Sequence, residues 1–88
     1  MKTIWKYKLE ITEQQTIEMP ATATFLTMQV QHDVVTVWYL VNPKEDHRPR
    51  RFAIYGTGHE MPDEPGTYLG TFQIVGGALI FHVFEARS

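Results

Sequence analysis

Tyr68-Leu69-Gly70-Thr71-Phe72-Gln73-Ile74-Val75-Gly76-Gly77-Ala78-Leu79-Ile80-Phe81-His82-Val83-Phe84-Glu85 reads as one long β-hairpin. Two adjacent glycines separate two runs rich in β-branched and aromatic residues. A type I′ turn needs positive φ at both central positions, and glycine adopts it without a Cβ clash. A two-residue turn at Gly76-Gly77 sets Val75 against Ala78, Ile74 against Leu79, Phe72 against Phe81 and Gly70 against Val83. One surface of the ribbon then collects Phe72, Ile74, Leu79, Phe81 and Val83, the expected core face. The other collects Leu69, Thr71, Gln73, Val75, Ile80, His82 and Phe84. That second surface is too apolar for a plain solvent face, so another segment or another molecule is expected to cover part of it. A slip by one residue would exchange the two faces, so the glycine pair sets register as well as direction.

The same two-residue period runs outward from the hairpin. Trp5, Tyr7, Leu9 and Ile11 alternate with Lys6, Lys8 and Glu10, which predicts a strand from Thr3 to Ile11. A second, short strand over Thr16 to Met19 stops at Pro20, which has no N–H for further pairing. Thr24 to Gln31 follows, with Leu26, Met28 and Val30 on one face and Phe25, Thr27, Gln29 and Gln31 on the other. His32-Asp33 is read as a turn into Val34 to Val41, whose apolar residues on both faces suit a central strand buried on both sides. Asn42 to Pro49 is expected to be an exposed loop, Arg50 to Tyr55 a strand facing inward through Phe52 and Ile54, and Gly56 to Gly66 a second long connection. The fold class is all-β: an antiparallel β-sandwich or small barrel of six to seven short strands with a C-terminal hairpin, forming one domain over residues 1–88. A short helix has room only in one of the two long connections.

Composition agrees with this class and removes several functions. Thr, Val, Ile, Phe, Tyr and Trp supply 34 of the 88 residues, side chains that suit pleated surfaces. Hydrophobic residues at 43% and charged residues at 20% place the chain among globular proteins. A net charge of -2 provides no general pull toward nucleic acid or an anionic membrane. With no cysteine, disulfides, thiolate metal sites and thiol catalysis are excluded. Apolar runs fall far short of the roughly 20 residues of a spanning helix, and Met1 to Lys6 does not lead into a secretory leader, so cytoplasmic residence without membrane association is expected.

Tyr55-Gly56-Thr57-Gly58-His59 resembles a phosphate loop only superficially, because the third glycine and the Lys-Ser/Thr ending are missing and Glu60-Met61-Pro62 cannot open a helix. His59 has Glu60, Asp63 and Glu64 nearby, a set that could hold a metal or move a proton. No spaced ligand motif accompanies it, so neither a metal nor another cofactor is expected. The only serine is Ser88, which leaves no serine triad, and no catalytic residue is assigned. A metal-dependent enzyme at His59 is therefore a remote alternative.

Arg48, Arg50 and Arg51, with Lys44, form the one basic concentration. Beside Tyr39, Phe52 and Tyr55 it could grip phosphates while rings stack on bases, making a nucleic-acid-binding β-barrel the second reading. Glu45 and Asp46 dilute that patch. The leading reading is a non-enzymatic protein-interaction module, with a homodimer through the hairpin or an edge strand as one form. Its candidate contact residues are His59, Tyr55, Arg48, Arg50, Arg51, Ile80, His82 and Phe84, with Trp5, Trp38 and Tyr68 as further aromatic anchors. His82 shares a strand face with Ile80 and Phe84.

Five stretches carry a resemblance: Met1-Lys2-Thr3-Ile4-Trp5-Lys6-Tyr7, Gln15-Thr16-Ile17-Glu18-Met19-Pro20, Tyr55-Gly56-Thr57-Gly58-His59, Gly70-Thr71-Phe72-Gln73, and Gly76-Gly77-Ala78-Leu79-Ile80-Phe81-His82-Val83-Phe84-Glu85. Together they resemble a family of small uncharacterised domains found in bacteria and tailed bacteriophages. The resemblance spans nearly the whole chain and departs from the family at Lys44 to Pro49. It assigns no role to any residue. It implies a phage or prophage accessory protein that binds a host or phage protein.

Overall fold

A computed structural model describes residues 1–86 and contains seven strands: β1 (Thr3–Lys8), β2 (Gln15–Pro20), β3 (Thr24–Gln31), β4 (Val34–Val41), β5 (His47–Gly56), β6 (Thr67–Ile74) and β7 (Leu79–Ala86). They form two antiparallel sheets, a three-stranded one ordered β1-β4-β3 and a four-stranded one ordered β2-β5-β7-β6. The sheets stack as a small β-sandwich around one cluster. Val37, Tyr39 and Val41 of β4 face Met19, Phe52, Ile54, Phe72 and Val83 from the other layer, and all are buried. Rings fill the gap edge to face: Tyr39 packs this way on Phe52 at 6.3 Å, on Phe25 at 5.6 Å and on Tyr7 at 6.1 Å.

The hairpin forms in the expected register, with Gly70 opposite Val83, Phe72 opposite Phe81 and Ile74 opposite Leu79. Gly76 (φ 61°) and Gly77 (φ 89°) both take positive φ, and the Ala78 N–H donates to the Val75 carbonyl at 3.0 Å. Val75 also takes positive φ, at 54°, so a left-handed turn over Val75–Gly77 caps the ribbon and the ladder ends one pair earlier, at Ile74 and Leu79. Among the described residues neither long connection contains the short helix for which it had room. Leu79, expected in the core, is 47% exposed because the tip projects past the facing sheet.

Two bulges change faces that simple alternation assigns. Between Phe25 and Thr27 the β3–β4 register shifts, leaving Leu26 extra, so Phe25 and Met28 pack together on the core while Leu26 points out at 45% exposure. Between Tyr68 and Gly70 a second shift turns Leu69 onto the core and Tyr68 outward at 56% exposure. Gly70 follows that bulge because β6 closes against β3 there: a Cβ would lie 2.7 Å from Met28 Cε.

Other boundaries move for identifiable reasons. β1 stops at Lys8 because the chain must leave one sheet for the other. The Gln15 side chain clamps that bend by accepting from the Glu10 N–H at 3.0 Å and donating to the Glu10 carbonyl at 2.6 Å. Leu9 stays buried and Ile11 is exposed. Strand β5 begins at His47 rather than Arg50, since pairing with β2 starts at Pro20 opposite His47 and draws Arg48 and Pro49 into the ladder. Strand β4 is central in its sheet, yet Val34, Trp38 and Leu40 on its outer side are only half-buried. His32 (φ 51°) and Asp33 (φ 64°) form the tight β3–β4 turn.

Candidate functional site

The topology creates one unusual feature. β5 and β6 both pair antiparallel with β7 and so run parallel to each other, which obliges segment 57–66 to return along the length of the sheet before β6 can start. Pro62, Glu64 and Pro65 lie with Arg51, Ala53 and Tyr55 around one pocket on the outer side of β5. Ala53 points outward yet is only 3% exposed. The crossover therefore covers the β5 part of the larger sheet's outer face, whereas the mixed face of the hairpin keeps Tyr68, Val75 and Ile80 exposed. Gly66 (φ 104°) makes the passage over the end of β7 feasible, since a Cβ there would fall 2.2 Å from the Glu85 carbonyl oxygen.

The remaining half of that face stays open and carries an ordered set of side chains. Phe84 packs between two tyrosines, 6.0 Å from Tyr55 and 5.5 Å from Tyr68. Beside it His82 is held at both ring nitrogens, Nε2 to Thr57 Oγ1 at 2.6 Å and Nδ1 to Thr71 Oγ1 at 2.9 Å. Thr71 Oγ1 in turn meets the Tyr68 hydroxyl. A hydroxyl can donate or accept, so both ring nitrogens have a partner in either tautomer. Ile80, 36% exposed, and Tyr68 form the rim.

Of the residues singled out in the sequence, Tyr55, Ile80, His82 and Phe84 share this face. His59 lies off this face: its ring covers Gly56 on the core side of β5, where a Cβ would lie 2.8 Å from His59 Cε1, and its backbone N–H donates to the Gly56 carbonyl at 3.1 Å. Among the described residues no group of three or more His, Cys, Asp or Glu is placed to hold a metal ion. Ser88 lies outside the described residues.

The three arginines do not form one loop patch. Arg50 points between the sheets, where its Nε donates to Glu85 Oε2 at 2.7 Å and its Nη2 to Glu85 Oε1 at 3.2 Å. Its Nη1 donates to the Ala23 carbonyl at 3.1 Å, and its guanidinium lies 5.5 Å from the Tyr39 ring centre. The Glu85 carboxylate beside it strengthens its hold on its proton. Arg48 stays exposed, 3.9 Å from Asp46, and Arg51 lies on the outer side. Tyr39 and Phe52, expected to stack on bases beside this patch, are fully buried.

The seam formed by Arg50, Glu85 and Tyr39 is the feature that strand patterning misses. The Tyr39 hydroxyl donates to Glu85 Oε1 at 2.6 Å; burial, then that hydrogen bond and charge, push the phenol far above its usual value. Nearby, Tyr7 has a buried hydroxyl with no hydrogen-bond partner among the described residues, and burial raises it too, against the opposing pull of Arg50. Glu85 sits two residues after Val83 on the inward side of β7, which is the signal in the sequence: an acid at a core-parity position demands a buried cation.

Fold and surface together define a small antiparallel β-sandwich whose larger sheet presents an aromatic, hydroxyl-lined outer face. The chain belongs to the family described as domain of unknown function DUF7352, whose pattern matches residues 1–88. No curated protein and no solved structure matches it. None of the helices among the described residues is long and apolar enough to cross a membrane.

Proposed function

We propose that this protein is a non-enzymatic interaction module whose contact surface is the open outer face of β6 and β7. The observation that carries the reading is the exposed rim of Tyr68 and Ile80 around Phe84 and His82, fixed in place by the Tyr68–Thr71–His82–Thr57 hydrogen bonds. Tyrosine-rich surfaces that are already ordered lose little side-chain entropy on docking, so they bind well for their area. Both ring nitrogens of His82 bear hydroxyl partners, an arrangement that suits positioning within a contact face. The resemblance to domains of bacteria and tailed phages supports a phage or prophage accessory protein acting in the cytoplasm on a host or phage protein.

Photo-crosslinking tests this. A photoreactive residue placed at Tyr68 or Ile80 should trap a protein partner, and one placed at Asp33, at the far end of the β3–β4 hairpin, should not. Adding Phe84→Asp to the same protein should abolish the adduct while leaving the β-sheet circular dichroism in place. Equal trapping at Asp33, or trapping insensitive to Phe84→Asp, refutes the proposed surface.

A further inference from the structure

The two outer faces of the sandwich are complementary to each other. Strands β1, β3 and β4 contain two charged residues, Lys6 and Lys8, and no acid. Both lysines pair with outward residues of β4, Lys6 with Trp38 and Lys8 with Thr36, so the outer face of the three-stranded sheet is basic. It is also apolar: Ile4 (56% exposed), Leu26 (45% exposed) and Trp38 line a shallow groove with Thr27 and Gln29. The outer face of the four-stranded sheet has the opposite sign. Its crossover brings Glu60 and Glu64 beside Tyr55 and Arg51, Glu13 joins them at the same rim, and Glu18 lies on the outer side of β2.

We propose that copies of this chain associate head to tail, the basic apolar face of one docking on the acidic aromatic face of the next. The proposal rests on reading the face of β6 and β7 as a contact surface, extends that surface over the adjoining acidic crossover, and names its occupant as a second copy. Charge complementarity selects that occupant, because a face-to-itself dimer would bring like charges together on either sheet. Edge pairing is poorly served: bulges interrupt β3 and β6, Lys6 and Lys8 mark β1, and Pro20 ends β2. Area is sufficient. The Cα framework extends 41 × 30 × 16 Å, so each broad face is on the order of 1,000 Å², compared with roughly 800 Å² per partner in a standard interface. The two faces look in opposite directions, so the contact propagates as an open stack, with a repeat of about 20 Å from two successive sheet spacings of about 10 Å.

Sedimentation velocity with charge-reversed variants tests this. The wild type should associate at low salt and dissociate as salt rises. Lys6→Glu/Lys8→Glu and Glu60→Lys/Glu64→Lys should each remain monomeric, with association at least about tenfold weaker. An equimolar mixture should associate again, since each variant keeps the face the other needs. Circular dichroism verifies that both variants fold. A wild type that is monomeric at submillimolar concentration, a lysine variant that associates like wild type, or a mixture that stays monomeric overturns the proposal. If crosslinks from Tyr68 and Ile80 to a different protein persist when the wild type is monomeric, head-to-tail docking fails while the contact surface stands. If neither form of contact is found, both fail.

Discussion

Glu85→Gln probes the seam that joins the sheets, because it removes a charge with almost no change in volume. Glu85 accepts from Arg50 at 2.7 and 3.2 Å and from the Tyr39 hydroxyl at 2.6 Å. A glutamine amide can accept at one oxygen only, and its NH2 group then faces donors of Arg50 or Tyr39. Hydrogen bonds to charged groups contribute about 1.5–3 kcal/mol, and breaking a fully buried ion pair costs roughly 3–5 kcal/mol. The Arg50 and Glu85 side chains keep 21% and 18% of their exposure, so water screens part of the loss. The expected cost is about 2–3 kcal/mol, a fall in Tm of roughly 10–20 °C for a domain of this size. Urea unfolding followed by the fluorescence of Trp5 and Trp38 measures it. A double-mutant cycle with Tyr39→Phe should return a coupling of about 1 kcal/mol. Arg50→Met/Glu85→Met should be far less damaging than either single change, since no charge is left unpaired between the sheets. A loss below about 0.5 kcal/mol for Glu85→Gln, or strict additivity with Tyr39→Phe, would refute the seam as a stabilising unit.

Burial raises the Tyr39 and Tyr7 phenols above the usual 10.0, so the folded protein keeps protons that the unfolded chain releases at alkaline pH. Stability is then complete below pH 10.0 and declines as the pH rises beyond it, the Tyr39 contribution approaching about 1.4 kcal/mol per pH unit once the unfolded chain has released its proton. Tyr39→Phe should flatten that decline in urea midpoints measured from pH 9 to 11. Gly66→Ala should cost about 2 kcal/mol or more, because its Cβ meets backbone atoms of β7 at a φ that alanine resists; an unchanged thermal midpoint would count against the tight crossover. His32→Asn/Asp33→Gly should raise stability by about 1 kcal/mol, since both positions hold positive φ in the β3–β4 turn. No gain in chemical denaturation would count against that turn geometry.

Much of the strand framework was legible because β-strand signals are local. The apolar and polar alternation from Thr3 to Lys8, the run from Val34 to Val41, and the glycine pair with its cross-strand partners need only neighbouring residues to interpret, and the structure contains them. The shared face of Ile80, His82 and Phe84 follows from the same parity, and Tyr55 joins it only through the pairing of β5 with β7. Its hydrogen-bond chain was hidden, because Thr57 reaches His82 from the start of the crossover and Thr71 from β6.

Chain order alone thus establishes an all-β protein, the closing hairpin and its register, since a period of two and a left-handed turn are properties of short segments. Tertiary structure alone decides the rest. The bulges at Leu26 and Leu69 redirect neighbouring side chains, and Arg50 becomes the partner of a glutamate 35 positions away instead of a basic surface residue. The crossover of segment 57–66 closes half of one face and leaves the other half open. These outcomes depend on which strands become neighbours and how closely two sheets can approach, and those are set by the packing of the whole core.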